Sequence, residues 1–311
     1  MGSLKAICIS EKKGTQKHEI DSALLIEDWG IEQDAHAGKW HRQVSMLSYE
    51  KIEEFRAKGA EVDFGAFGEN LIVEGFDLRT IPVGTKFQVG EALLELTQIG
   101  KECHSHCEIY KVMGDCIMPR EGVFTKVLKG GTIRPGDTIT RLPLEDDRPF
   151  SAAVITLSDK GAAGEREDKS GPLISEMLKK EGYDVIEEMI LPDNKAVLQH
   201  HLIRLADQRQ TNVIFTTGGT GFSERDITPE ATTAVCDRMA PGIAEAMRYY
   251  SLSITNRAML SRATSGIRKK TLIVNLPGSP KAVEESLSYI LPALGHGIGI
   301  LRGTEGECAR K

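Results

Sequence analysis

Past residue 151 the chain settles into a steady rhythm in which short apolar runs alternate with helix-patterned segments. The run AAVITLS (152–158) is followed by SGPLISEMLKKEG, with Ser170 as helix cap, Pro172 in the first turn and Gly182 at the stop. YDVIEEMILPD reads as a strand. NKAVLQHHLIRLADQ reads as a helix capped by Asn194, with Val197, Leu198, Leu202 and Leu205 on one face. NVIFTT and TLIVNL are further strands, and PKAVEESLSYILPAL (280–294) is a helix. Strands alternating with helices build a mainly parallel sheet covered on both faces, so the expected fold here is a three-layer αβα domain. Ligands of such sheets bind beyond the carboxyl ends of the strands.

The first 145 residues follow a different pattern. LKAICIS, QVSMLS, NLIVEG, TKFQVG, ALLELTQIG and VFTKVL are short β-like runs punctuated by glycine, and SYEKIEEFRAKG is the one clear helix. Many short strands with few helices predict a β-barrel or sandwich. Between the two patterns, PLEDDRPFS (143–151) carries two prolines and an acidic run, as a linker does. At roughly 150 residues per domain, 311 residues suit two domains, 1–145 and 146–311.

Charge and apolar content exclude several classes of function. The chain has a net charge of −6. Residues 1–146 hold 18 Lys/Arg against 24 Asp/Glu, and residues 147–311 hold 21 of each. That is not the basic footprint of a nucleic-acid binder. An anionic ligand of the second half must therefore be held by local geometry. No stretch approaches the roughly 18 apolar residues of a membrane span, and the N-terminal apolar run is too short for a secretory signal, so the expected location is the cytoplasm. Six cysteines are present, three of them within 103–116. A cytoplasmic setting argues against a disulfide framework.

Residues 216–232, TTGGTGFSERDITPEAT, follow the NVIF run directly. Gly218, Gly219 and Gly221 let backbone N–H groups approach an anion closely, with Thr217 and Thr220 beside them. Thr228 and Pro229 form a helix start, Thr228 as N-cap. A second helix start follows Gly278, with Ser279 as cap and Pro280 at the first position. Asp193, in LPDN, and Asp226, just past the glycines, lie at the same predicted sheet edge. Together they suit a Mg²⁺ that bridges phosphates, since Mg²⁺ takes one or two carboxylates plus substrate oxygens. Each is equally readable as a helix cap or a surface carboxylate, and the glycines as plain strand-to-helix turns.

In the strings ITLSD, DKSGP, ILPD, TTGGTGFSERDITPEAT, AMLSR, SGIR and NLPGSPKAVEE, taken in order, residues 151–311 resemble the molybdopterin adenylyltransferase family. The resemblance implies a reaction in which the terminal phosphate of molybdopterin is joined to AMP from ATP, with Mg²⁺ as cofactor and pyrophosphate released. It implies that Asp193 and Asp226 are the catalytic, metal-holding aspartates. It places Ser158, Asp159, the loop 217–221, Ser261, Asn275, Gly278 and Ser279 in the substrate cleft. It also implies a homotrimer and exchange with a molybdenum-insertion protein.

In the first half, IGKECHSHCEIYKVMGDC gathers Cys103, His104, His106, Cys107 and Cys116. Cys-x-x-x-Cys beside histidines is within zinc-site spacing. Alternatively, Lys101 and the histidines lower the pKa of Cys103 toward a reactive thiolate, or Cys103 is an inert, half-buried cysteine, the commoner case for such a residue. The strings DAHAGKWHRQVSMLS, GAFGENLIVEG, LTQIGKEC and REGVFTKVLKGGTIRPGD resemble the MOSC domain over about 20–142. That resemblance implies a pocket near Arg42 and the GENL turn (68–71) that binds molybdenum cofactor, and a sulfur-carrying or metal-contacting role for Cys103. The sulfur would come from a separate donor protein. The sequence as a whole thus points to a bifunctional protein of molybdenum-cofactor assembly. A non-catalytic pterin carrier and a MOSC module that keeps the cofactor permanently are the alternatives.

Overall fold

The computed structural model describes residues 1–102 and 116–305. The chain divides into two compact units, Met1–Glu145 and Asp146–Lys311. Cys103, His104, His106 and Cys107 lie outside the described residues. Among the described residues no helix is long and apolar enough to cross a membrane.

The first unit carries strands β1 (Gly2–Ile9), β2 (His18–Ile20), β3 (Ala23–Ile26), β4 (Gly30–Ile31), β5 (Val44–Ser48), β6 (Leu71–Glu74), β7 (Lys86–Val89), β8 (Ala92–Ile99), β9 (Val123–Lys129), β10 (Gly131–Ile133) and β11 (Thr138–Arg141). Seven of them run in the order β11-β7-β8-β9-β5-β6-β1, and β1 pairs back onto β11. The sheet is therefore a closed barrel, which removes its exposed edges; β2 extends β1 outward, and β10, β3 and β4 form a small separate sheet. Alternation along β8 buries Ala92, Leu94 and Leu96 in one core with Leu4, Ile7, Val44 and Phe87. A second core lies under helix α1 (Tyr49–Arg56), where Ile52 and Phe55 meet Ala6, Cys8, Leu47 and Ile72. Strand β1 thus feeds both cores, Leu4 and Ile7 one way and Ala6 and Cys8 the other. The short helix α2 (Met118–Glu121) adds Met118 to the second core.

The second unit holds β12 (Ser151–Leu157), β13 (Asp184–Leu191), β14 (Val213–Thr217), β15 (Arg238–Met239), β16 (Ser265–Arg268) and β17 (Thr271–Leu276). Its helices are α3 (Asp159–Ala162), α4 (Ser170–Lys180), α5 (Lys195–Asp207), α6 (Thr228–Val235), α7 (Pro241–Leu252) and α8 (Pro280–Arg302). The sheet order is β13-β12-β14-β17-β16-β15. The first four strands are parallel, and β16 and β15 add an antiparallel edge. Successive residues of the central strands face opposite ways. Val154, Phe215 and Val274 join Ile174, Leu178, Met247 and Leu287 in one cluster. Ile155, Ile214 and Ile273 join Leu198, Leu202, Leu205 and Val235 in another. Each such side chain contributes roughly 1.5–3 kcal/mol on burial, and this two-faced burial explains why the strands read as continuous apolar runs.

Two caps differ from their sequence reading. Ser170 is the first residue of α4, and the cap is Asp168, whose Oδ1 accepts from the Ser170 and Gly171 amides at 3.0 and 3.1 Å. Thr228 is likewise inside α6, and its hydroxyl is used elsewhere. Asn194 and Ser279 do cap α5 and α8.

Candidate active site

Because β12, β13, β14 and β17 are parallel, their carboxyl ends lie on one edge of the sheet, and the chain leaves that edge through polar or glycine-rich turns. Ser158 and Asp159 follow β12, Asp193 follows β13, Gly218–Gly221 follow β14, and Gly278 and Ser279 follow β17.

Gly218 and Gly219 have φ of +94° and +65°, a region that side-chain-bearing residues avoid. A Cβ at Gly218 would stand 2.6 Å from the Leu157 carbonyl, and one at Gly219 would run into the Thr228 hydroxyl. That hydroxyl donates to the Gly218 carbonyl at 2.9 Å, and the Thr228 amide donates to the Gly219 carbonyl at 3.1 Å. The Thr217 hydroxyl donates to the Pro277 carbonyl at 2.6 Å, and the Ser170 hydroxyl to the Gly278 carbonyl at 3.0 Å. Carbonyls of both turns are thereby tied down by hydroxyls.

The carboxylates form a linked set. Asp193 Oδ2 accepts from the Asp159 amide at 3.2 Å, and Asp159 Oδ1 accepts from the Asp193 amide at 3.0 Å. Asp226 Oδ2 accepts from the Ser223 amide at 2.8 Å, closing a tight turn. Burial and the nearby Asp226 charge push the Asp193 carboxyl above its usual range. Two neighbouring carboxylates, each with its Oδ1 left without a hydrogen-bond donor among the described residues, are a donor set suited to a divalent cation. Among the described residues no group of three or more Cys, His, Asp or Glu clusters as a metal site, so further oxygens would have to come from a ligand.

Two hollows adjoin the stretch 220–230. One is a cavity of about 320 Å³ lined by Thr220, Gly221, Arg248, Ser261, Pro277 and Glu285, among others. The other is an open trough of about 590 Å³ lined by Lys195, Ser223, Asp226, Glu230 and Arg262, among others. Arg262 holds the loop in place. Its Nε donates to the Gly221 carbonyl at 2.6 Å, its Nη2 donates to the Asp226 carbonyl, and its Nη1 pairs with Glu230.

Asn275 is placed differently from the other residues the sequence singles out. Its side chain is wholly buried. Its Nδ2 donates to Thr216 Oγ1 at 2.9 Å and Thr232 Oγ1 at 2.8 Å, bracing β17 against β14 and α6 beneath the loop. Ser261 lies on the cavity wall, its Oγ accepting from the Ala263 amide at 3.3 Å. Sequence reasoning passed over Asp168, which accepts from Thr156 Oγ1 at 2.6 Å while it caps α4. An Asp two residues ahead of a helix start is the signal that would have found it. Arg248 was missed because no helix was expected over α7.

The first unit has its own pocket of about 220 Å³, lined by Lys17, His36, Arg42, Asn70, Lys101 and Cys116, among others. Arg42 lies over the rings of Trp40 and Phe124, 4.7 and 5.5 Å from their centroids. Lys17 and Asp34 form a buried ion pair at 2.5 Å. Burial pushes the Asp34 carboxyl up, but the Lys17 ammonium outweighs it and holds the group below its usual range. Asp34 also accepts from the Ser10 amide at 3.0 Å and the His36 amide at 3.2 Å, which fixes the loop carrying His36. Burial pushes His36 down and Glu69 up, the latter to about 7. Cys116 is buried.

Residues 153–296 match the model of a probable molybdopterin binding domain, and residues 33–140 match the MOSC domain. A molybdopterin adenylyltransferase of Helicobacter pylori strain J99 is 41% identical over 152 residues, which span 48% of this chain and 86% of that protein. The Escherichia coli K12 enzyme of the same name is 40% identical over 151 residues, 47% of this chain and 77% of that one. A solved molybdopterin biosynthesis enzyme, MoaB of Thermus thermophilus, is 43% identical with a TM-score of 0.48, covering 50% of this chain and 97% of that one. On the identity and coverage of the two adenylyltransferases and the two family models, the chain belongs to the molybdopterin adenylyltransferase family and carries a MOSC domain in its first half.

Proposed function

We propose that the second unit, as a three-layer αβα domain, adenylylates molybdopterin with ATP and Mg²⁺, giving adenylyl-molybdopterin and pyrophosphate. The observation that carries this reading is the Asp193–Asp226 pair at the same sheet edge as the glycine loop, with two hollows adjoining the stretch 220–230. Relatives named molybdopterin adenylyltransferase support it. The cavity with Ser261, Arg248 and Glu285 takes the pterin, and the trough at Asp226 takes the nucleotide. A phosphate monoester is largely dianionic at pH 7, so the molybdopterin phosphate attacks the α-phosphorus of ATP without a catalytic base. A P–O bond forms to that phosphorus, and its bond to the bridging oxygen of the departing pyrophosphate breaks. The residues' task is to bring two anions together. Gly218–Gly221 offer amides with no side chain in the way, and Asp193 and Asp226 would hold the Mg²⁺. That ion offsets the polyphosphate charge when bound. Asn275 and Arg262 keep the loop in register.

In the same reading, the MOSC pocket takes molybdenum cofactor or a precursor among Lys17, Arg42 and Lys101, and Cys103 carries sulfur from a donor protein. The protein works in the cytoplasm, beside a molybdenum-insertion protein. Exposed Tyr249, Leu252, Ile254, Met259 and Leu260 support self-association, and the trimer is what the family resemblance implies. Incubating the protein with molybdopterin, ATP and Mg²⁺ and following the product by mass spectrometry tests the assignment. Adenylyl-molybdopterin is expected. Tight pterin binding with no adenylylated product would make the protein a carrier instead.

A further inference from the structure

The trough at Asp226 has a charge problem. If it receives the nucleotide, as the reading above requires and this inference assumes, a polyphosphate must enter beside Asp159, Asp193 and Asp226. Two cations line the trough, Lys195 and Arg262, against Glu224, Asp226 and Glu230, and the Arg262 guanidinium is engaged on three sides by the Gly221 and Asp226 carbonyls and by Glu230. Three of its five N–H donors are thereby committed to the protein itself, which makes it chiefly a strut. Arg225 differs. Its amide donates to Ser223 Oγ at 3.3 Å inside the turn closed by Asp226, which anchors its backbone. Its side chain is 66% exposed and reaches across to the Asp159 carboxylate, itself 38% exposed. Asp159 is fixed in turn by its two reciprocal bonds with Asp193. A solvent-exposed ion pair of this kind is worth little and is readily exchanged. A guanidinium, with its planar fork of donors, fits phosphate oxygens as well as a carboxylate.

We propose that Arg225 is a polyphosphate-binding residue which Asp159 holds in reserve beside the carboxylate pair. With the trough empty, the guanidinium rests on Asp159 and offsets one of three crowded negative charges. When a polyphosphate enters, the guanidinium leaves Asp159 Oδ2 for phosphate oxygens, moving only its side chain. Asp159 therefore weakens nucleotide binding by competing for Arg225, and Arg225 strengthens it.

Calorimetric titration of the full chain with inorganic tripolyphosphate in Mg²⁺ tests this without requiring turnover. Arg225→Ala should weaken binding about tenfold, the scale of one charge-assisted hydrogen bond, and Arg225→Lys should fall between it and the parent. Asp159→Asn keeps an oxygen for the Asp193 amide and should tighten binding several-fold. The double variant should bind like Arg225→Ala alone, because nothing is left for Asp159 to compete for. Unchanged affinity in Arg225→Ala would overturn the proposal. So would a gain from Asp159→Asn that persists in the double variant, and so would a parent chain that binds no tripolyphosphate. Pyrophosphate release by the parent chain is a separate readout. Its absence alongside the expected order of affinities would refute the adenylylation reading and leave the role of Arg225 standing.

Discussion

Glu69 is held in an environment hostile to its charge. It is wholly buried, its Oε1 accepts from the Gly65 amide at 2.9 Å, and its Oε2 has no hydrogen-bond partner. Burial raises its pKa from 4.5 to about 7. Between those two values the folded chain keeps a proton that the unfolded chain gives up. The stability from keeping this acid neutral is therefore complete below pH 4.5 and is lost as pH rises through about 7. The expected loss is about 3 kcal/mol. Glu69→Gln should lack it, so chemical denaturation of the two proteins from pH 4.5 to 8 should show the parent losing stability relative to the variant. Parallel curves would place the Glu69 pKa in the ordinary carboxylate range. The GENL string marks this turn in the sequence but not its depth, because depth depends on how the barrel closes over it. Asn275 makes the same point. The sequence names the residue, yet in a strand buried on both faces no periodicity tells which side chains reach the cleft.

At the scale of elements, the glycine loop depends on a contact between two turns. Gly219→Ala faces both a positive φ and the Thr228 hydroxyl, whereas Gly182→Ala has a φ of +81° but open space around its Cβ. Thermal unfolding should find Gly219→Ala more destabilising than Gly182→Ala by roughly 1–3 kcal/mol, with pyrophosphate release reduced. Equal costs would mean that the loop yields freely around Thr228. Much of this level was legible in the sequence. The strand–helix rhythm located β12, β13, β14, β17 and most of the helices, because two-faced burial writes apolar runs. Strands β15 and β16 were missed. One is two residues long, and the other includes Gly266, where a Cβ would meet Cys236 Sγ. Helix α8 runs eight residues beyond its expected end at 294. Pro292 removes one hydrogen bond, but Leu294 and Ile298 stay in the core and carry the helix through it.

For the whole molecule, the chain divides between Glu145 and Asp146, within the proline- and acid-bearing stretch 143–151. Each unit has its own cores and its own pocket. If the two halves work separately, Cys103→Ala should leave the rate of adenylylation within about twofold of the parent; a loss of tenfold or more would tie Cys103 to the chemistry of the second unit. The second half is nearly neutral overall, so attraction for two anions must arise at the sheet edge itself. Sequence could place the aspartates at that edge through the order of the strands. It could not show that Asp159 and Asp193 exchange amide bonds or that Arg262 bonds to Gly221, Asp226 and Glu230, since both depend on turns brought together from distant parts of the chain.

The most direct test of this account is pyrophosphate release measured with molybdopterin, ATP and Mg²⁺ for the parent chain and for Asp226→Ala, with molybdopterin binding measured on the same samples. The parent should release one pyrophosphate per molybdopterin consumed, and Asp226→Ala should lose at least about a hundredfold in rate, in keeping with removal of a principal electrostatic group, while binding the pterin nearly as well. Undiminished release by Asp226→Ala, or none from a parent chain that binds molybdopterin tightly, would contradict it.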